Sequence, residues 1–306
     1  MTVENLFCID LDQPALPGFH RFISAWCGRV AGRTIVVDPG PLSTIPHLVA
    51  ELRRRGIDRI DHILLTHIHI DHAGGTGALL RDYPAARVSC HPDGIRHLVA
   101  PRQLWQGSLK VLGRTAEIYG EIVPVPAERI DFSEQVGTTG IRAHLTPGHA
   151  PHHCCYQVGK LLFAGEVAGV RGEVADGIYM RPATPPRFIL PVALDSLQRM
   201  IDLAPRRMVF AHYGLVDNAL DHLRIAHRQL RLWVRGAAVT TAEGTVDVEA
   251  FIAWLLDHDD IFRNIGQLPA EVQPREREFI GNTLRGMNGY IAGLSENERR
   301  NLLAAA

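Results

Sequence analysis

The stretch Thr66-His67-Ile68-His69-Ile70-Asp71-His72-Ala73-Gly74-Gly75 constrains this chain more than any other. Three imidazoles and one carboxylate fall between positions 67 and 72, directly after an apolar run (Ile60, Ile63, Leu64, Leu65) that reads as the end of a buried strand. Alternation along an extended backbone turns His67 and His69 to the same side, and imidazole with carboxylate is the donor chemistry of zinc and its first-row neighbours. One histidine at a strand end is ordinary. Four candidate ligands closed by a flexible Ala-Gly-Gly turn are not, because burying so many polar groups without a common partner is costly. The motif predicts a metal site at the end of a core strand.

A chain of 306 residues can bury a substantial core, as one large domain with an added segment. Its 46% hydrophobic and 21% charged residues describe a globular protein. The net charge is -1, and no basic run stands out beyond Arg53-Arg54-Arg55, which argues against a nucleic-acid backbone binder. Met1 to Ile9 lacks a basic segment followed by an apolar one, and no apolar run approaches bilayer-spanning length, so no membrane association is expected. Five cysteines, an odd number without a Cys-x-x-Cys pair, fit a reducing, cytoplasmic setting. Adjacent Cys154 and Cys155 are expected to pack rather than bridge.

Taken in order, the chain alternates strand and helix. Phe7–Leu11, Phe22–Cys27 and the β-branched Thr34–Asp38 read as strands, and Pro39-Gly40-Pro41 stops the third. Ser43 or Thr44 caps a helix to about Arg55, with Gly56 just past its end. Ile60–Leu65 returns to strand, 74–82 reads as helix and 88–91 as strand. Such alternation predicts layered α/β construction. Residues 93–120 read as helices crossing the mouth of a site, where Trp105 and Tyr119 either line a lid or simply pack. Strand character returns at 123–126, 130–132 and 141–145, and Gly159-Lys160 turns an antiparallel hairpin between 154–158 and 161–164. Residues 170–190 are rich in glycine and proline and read as a long loop. Helix, strand and an amphipathic helix follow at 193–203, 207–211 and 218–235, and the tail is helical near 246–258, capped by Asp247, then near 274–287 and 295–302.

Three later positions repeat the strand-end arrangement: His149 after Thr146-Pro147-Gly148, Glu166 after Phe163-Ala164-Gly165, and His212 after Val209-Phe210-Ala211. Each can bring a terminal polar side chain to one crevice.

With His67-x-His69-x-Asp71-His72 followed by His149, Glu166 and His212, the chain resembles the metallo-β-lactamase superfamily, especially its hydroxyacylglutathione hydrolase-like and lactonase-like branches. Asp38-Pro39-Gly40 is similar to the acidic-x-Gly turn that precedes the motif there. The resemblance spans roughly residues 20 to 235 and implies an α/β fold, a four-layer αββα sandwich with additional C-terminal helices. It divides the chain into a catalytic domain, 1–237, and a helical extension, 238–306, that packs on the core or forms a homodimer interface.

The resemblance also implies two divalent metal ions, zinc foremost, with iron and manganese as alternatives. His67, His69 and His149 would hold the first, and Asp71, His72 and His212 the second. Glu166 takes the bridging position, where the family usually has Asp. The implied reaction is hydrolysis of an ester-like bond, thioester or lactone, in a small-molecule substrate by a metal-bridging hydroxide that Asp71 orients. His152 or His153 is a candidate donor to substrate, Tyr179 resembles the tyrosine that assists ring opening in lactonase-like relatives, and Tyr213 is a candidate near-site hydroxyl. Three rival readings stand beside this one: phosphodiester or phosphotriester hydrolysis, mononuclear iron dioxygenase chemistry, and a non-catalytic, metal-stabilised interaction protein.

Overall fold

The structure is a computed structural model that describes residues 2–241 and 246–304. A first mixed sheet runs β1 (Glu4–Asp10), β2 (Ser24–Val30), β3 (Arg33–Val37), β4 (His62–Leu64), β5 (Arg87–Ser89), β6 (Ile130–Asp131) in spatial order. β1 to β3 pair antiparallel and β3 to β6 parallel. The parallel pairs require crossovers, and these are helical: α1 (Ile45–Arg54), then α2 (Ile70–Ala73) and α3 (Thr76–Asp82), then α4 (Pro92–Val99), α5 (Arg102–Leu112) and α6 (Arg114–Tyr119).

The second sheet contains β7 (Arg142–Leu145), β8 (Cys154–Val158) and β9 (Leu161–Phe163). After a separate hairpin, β10 (Val170–Gly172) and β11 (Tyr179–Arg181), and helix α7 (Leu190–Asp202), it is completed by β12 (Arg207–Val209) and β13 (Leu215–Val216). Its spatial order is β13-β12-β9-β8-β7. Four helices follow: α8 (Ala219–Thr240), α9 (Val248–His258), α10 (Gln273–Ala292) and α11 (Glu296–Ala304).

Strand alternation builds the layers. Ile35 and Val37 face the second sheet, where they meet Tyr156, Phe163 and Val209, while Val36 faces the helices of the first half. Cys154 and Cys155 separate in the same way, one between the sheets and one towards α7 and α8, and both are free thiols. The four-layer αββα sandwich expected from the resemblance is the observed fold. Phe251, Leu255, Leu284 and Met287 of the C-terminal helices join the core formed by the outer face of the second sheet with α7 and α8. No helix among the described residues is long and apolar enough to cross a membrane.

Two contacts fix the end of β4, where the histidine motif begins. The Tyr156 hydroxyl donates to the carbonyls of Leu65 (3.0 Å) and Ser89 (2.9 Å), and the Cys154 amide donates to Thr66 O at 2.6 Å. Strand β8 of one sheet is thereby tied to β4 and β5 of the other.

Three local expectations need correction. Residues 170–190 contain the β10–β11 hairpin rather than a continuous loop, with Gly172 opposite Tyr179, where an added Cβ would lie 2.8 Å from the tyrosine ring. Residues 123–126 are not a strand, since Pro124 and Pro126 have no amide to pair and only Val125 donates, to Leu98 O. Thr44 occupies the N-cap of α1, but its hydroxyl donates back to Pro41 O instead of capping. Asp247 does cap α9, accepting from the Ala250 amide at 2.9 Å.

Candidate metal centre

The centre forms where the loops after β4, β7, β9 and β12 meet at one edge of the two sheets. His67 and His69 leave β4 in extended backbone, and α2 begins directly after His69, which turns Asp71 and His72 inward. The Asp38-Pro39-Gly40 turn braces this loop: Gly40 N–H donates to His72 O, and Gly75 N–H to Gly40 O. Asp38 and Gly40 both have positive φ, and a Cβ on Gly40 would lie 2.3 Å from Leu11. The acidic-x-Gly element is therefore a geometric requirement as well as a source of charge.

Donor atoms converge in two sets, His67, His69, His149 and Glu166 in one and Asp71, His72 and His212 in the other. In the first, His69 Nδ1 lies 2.9 Å from His149 Nε2; in the second, His72 Nε2 lies 3.3 Å from His212 Nε2. Glu166 spans both, its Oε2 3.0 Å from His149 Nε2 and 3.3 Å from His67 Nε2, and its Oε1 3.6 Å from His212 Nε2.

Three of the ligand rings, those of His149, His212 and His67, are held from behind, as metal-ligating histidines require. His149 Nδ1–H donates to Ala183 O (3.0 Å) and His212 Nδ1–H to Phe22 O (3.2 Å). His67 Nδ1 meets Thr66 Oγ1 at 3.1 Å, and Thr66 donates on to Asp38 Oδ2 at 2.7 Å. These bonds fix tautomers with the inward nitrogen unprotonated. His67 Nε2 is buried without a hydrogen-bond partner in the protein. An orphaned, inward-facing imidazole nitrogen, with the others crowded against one another beside two carboxylates, fits divalent cations better than any protein partner.

The electrostatics agree. Burial, reinforced by neighbouring imidazoles, holds His67 and His69 well below the ordinary histidine range, keeping them neutral and competent as ligands. Burial also takes His212 down to about 4. Glu166 stays ionised: burial opposes it, but His149 and His212 pull it well below the carboxylate range. His72 differs, because Asp71, Glu166 and Asp38 outweigh its burial and raise it to about 9.

The other expected site residues fare differently. His153 does not line the cavity. Its Nε2 accepts from the Glu166 amide at 3.0 Å and its Nδ1 meets Thr146 Oγ1 at 2.8 Å, so both ring nitrogens are committed to holding the Glu166 turn. Gly165 makes this approach possible, since a Cβ there would lie 2.3 Å from His153 Nε2. His152 is the member of the pair that lines the cavity, with a buried, unpartnered Nδ1. Tyr179 lies in β11, fully buried, its hydroxyl donates to Glu276 at 2.7 Å, and it does not line the cavity. Tyr213 sits at the surface side, where its hydroxyl accepts from Arg21 Nε at 3.0 Å.

Above the donor atoms lies a cavity of about 630 Å³ reached by His69, Asp71, His149, Glu166 and His212. Leu104, Val111 and Leu112 of α5 and Phe279 of α10 give it apolar walls, and Arg96 and Arg187 lie on its exposed lining. Trp105 packs instead against the core between the first sheet and its helices. Tyr119 lines the cavity with its hydroxyl buried and unpartnered. The sequence singled out Tyr119 only as an aromatic; the glycines that bracket α6, Gly113 and Gly120, both at positive φ, were the available signal that its direction is fixed. The contribution of α10 had no sequence signal.

Paired imidazole and carboxylate sets at the open edge of a β-sandwich define a metallohydrolase-type centre. A model of the metallo-beta-lactamase superfamily matches residues 21–212, and the chain belongs to that superfamily. It is 32% identical over 202 residues, 62% of this chain and 73% of the other, to a metallo-beta-lactamase fold-containing protein of Sulfurisphaera tokodaii. It is 31% identical over 137 residues to a hydroxyacylglutathione hydrolase of Stenotrophomonas maltophilia, a match covering 44% of this chain and 41% of that enzyme. The crystal structure of an archaeal superfamily member from Sulfolobus tokodaii superposes with a TM-score of 0.67 at 24% identity, covering 93% of this chain and 98% of the other. A Thermus thermophilus family protein gives 0.63 at 19% identity, covering 94% and 93%. The two structures share the fold.

Proposed function

We propose that the protein, a metal-dependent hydrolase, cleaves an ester-like bond, thioester or lactone, in a small molecule with an apolar body, using two divalent ions, zinc foremost. One observation carries this reading: two donor sets, with Glu166 in the first and 3.6 Å from His212 of the second, lie at the base of a large cavity whose walls are mainly apolar. His67, His69 and His149 would hold one ion, Asp71, His72 and His212 the other, with Glu166 between them. When bound, such a pair supplies an acidified water and polarises a substrate oxygen.

The chain's own residues do the rest. Asp71, partly open to the cavity, orients the attacking water and takes its proton at the carboxylate. The Tyr119 hydroxyl donates to the substrate carbonyl oxygen. Leu104, Val111, Leu112 and Phe279 receive the apolar body and exclude water, while Arg96 and Arg187 bind an anionic group near the opening. Likeness to proteins named hydroxyacylglutathione hydrolase supports an acyl bond. The apolar walls fit a body less polar than a peptide thiol.

The test is an anaerobic screen of acyl thioesters, lactones and phosphodiesters. The expected result is chelator-sensitive hydrolysis of apolar acyl thioesters or lactones, abolished in His67→Ala and Asp71→Ala. Turnover of phosphodiesters alone would replace this reading with phosphoester hydrolysis. Oxygen uptake without hydrolysis would replace it with iron-dependent oxidation.

A further inference from the structure

His212 rests on a stack that reaches into the C-terminal helices. Its ring lies flat on Phe22, with centroids 4.1 Å apart and planes 17° from parallel. Arg275, on α10, lies over the same phenyl ring with its guanidinium carbon 3.8 Å from the centroid. Two planar groups this close to one centroid would overlap on a single face, so Phe22 is held between them. Phe19 and Phe279 close its edges, with centroids 5.5 and 5.6 Å away.

The outer member of the stack is itself fixed. Arg275 is buried, donates to the carbonyl of Gly18, and is neutralised by Glu276, whose Oε1 accepts from Nη2 at 2.9 Å. Glu276 is in turn held by Arg181 and by the Tyr179 hydroxyl. Phe22 passes this rigidity to His212 twice, through the face of its ring and through its carbonyl, which accepts His212 Nδ1–H and so leaves the Nε2 lone pair directed at the second donor set. The first set has other supports: Thr66 behind His67, and Ala183 O behind His149.

We propose that Arg275 is a positioning residue for the second metal subsite, holding the His212 ring through Phe22, so that α10 forms part of the metal centre. The inference rests on the two-metal reading above. Ligand rings fixed by an outer shell bind metal more tightly because less motion is lost on coordination. Loosening this stack weakens one subsite and spares the other, which a general loss of packing does not do.

The experiment is cobalt(II) titration of the metal-stripped full chain, followed by visible absorption with a competing chelator. Wild type takes up two equivalents. In Arg275→Ala and in Phe22→Leu the second equivalent binds about 10- to 100-fold more weakly while the first keeps its affinity. Arg275→Lys recovers part of the loss, since an ammonium reaches Glu276 but cannot cover the ring as a plane. Near-ultraviolet circular dichroism confirms that each variant is folded, and Phe22→Leu leaves the Arg275–Glu276 pair in place should Arg275→Ala fold poorly. Unchanged second-site affinity in both variants, or equal weakening at both sites, overturns the inference while the two-metal reading stands. Wild-type protein that takes up one equivalent overturns both.

Discussion

Replacing Glu276 by Gln tests whether the C-terminal helices are bound to the catalytic core by charge as well as by packing. Glu276 is fully buried and accepts from Arg181, from Arg275 at 2.9 Å and from Tyr179 at 2.7 Å. Burial alone would raise its pKa, but the two guanidinium groups outweigh that and take it from 4.5 down to about 2. A carboxylate shifted that far contributes about 3 kcal/mol of stability at neutral pH. That agrees with the roughly 3–5 kcal/mol lost when one partner of a buried pair is removed. For a chain of this size, about 3 kcal/mol corresponds to a fall in Tm of roughly 5 °C.

The pH dependence has a definite sign. Because the folded pKa is depressed, the contribution is complete above the unfolded value of 4.5 and disappears as pH falls through about 2. Urea unfolding of wild type and variant, both metal-stripped so that ion binding does not add to stability, should give a gap of about 3 kcal/mol near pH 7. The gap should be roughly 1 kcal/mol smaller at about pH 3.5. A gap below about 1 kcal/mol at neutral pH, or one that fails to shrink in acid, would refute the reasoning.

Further outcomes follow from the site geometry. Tyr119→Phe removes the buried, unpartnered hydroxyl of a residue that lines the cavity, and kcat is expected to fall on the order of 100-fold with metal content intact; an unchanged kcat assigns Tyr119 to packing. His153→Ala deprives the Glu166 amide of its acceptor and should lower bound metal per chain, whereas His152→Ala should retain metal and alter KM. Elemental analysis beside steady-state kinetics separates the two, and full metal content in His153→Ala would contradict the assignment.

The sequence exposed what local patterning encodes. The run from Ile60 to His72 announced both a buried strand and a ligand-bearing turn, and the recurrence of polar residues at strand ends located His149, Glu166 and His212. The β-branched run Thr34–Asp38 and the Gly159-Lys160 hairpin turn placed strands of the two sheets. What it concealed depends on contacts between distant segments. His152 and His153 are indistinguishable by composition, and only the Gly165 turn, which brings Glu166 N–H onto His153, separates them. Tyr179 looked like a loop hydroxyl because glycine and proline mask the β10–β11 hairpin, and its partner Glu276 lies 97 residues later. Tyr119 and the α10 wall come to the cavity by helix packing, which has no signature of its own in a single chain.

The central claim is tested most directly by turnover measured anaerobically against equivalents of zinc added to metal-stripped protein, on whichever acyl substrate the screen selects. The account predicts hydrolysis that rises to a plateau at two equivalents per chain and needs no oxygen. A plateau at one equivalent, or activity restored only by iron and accompanied by oxygen consumption, would contradict it.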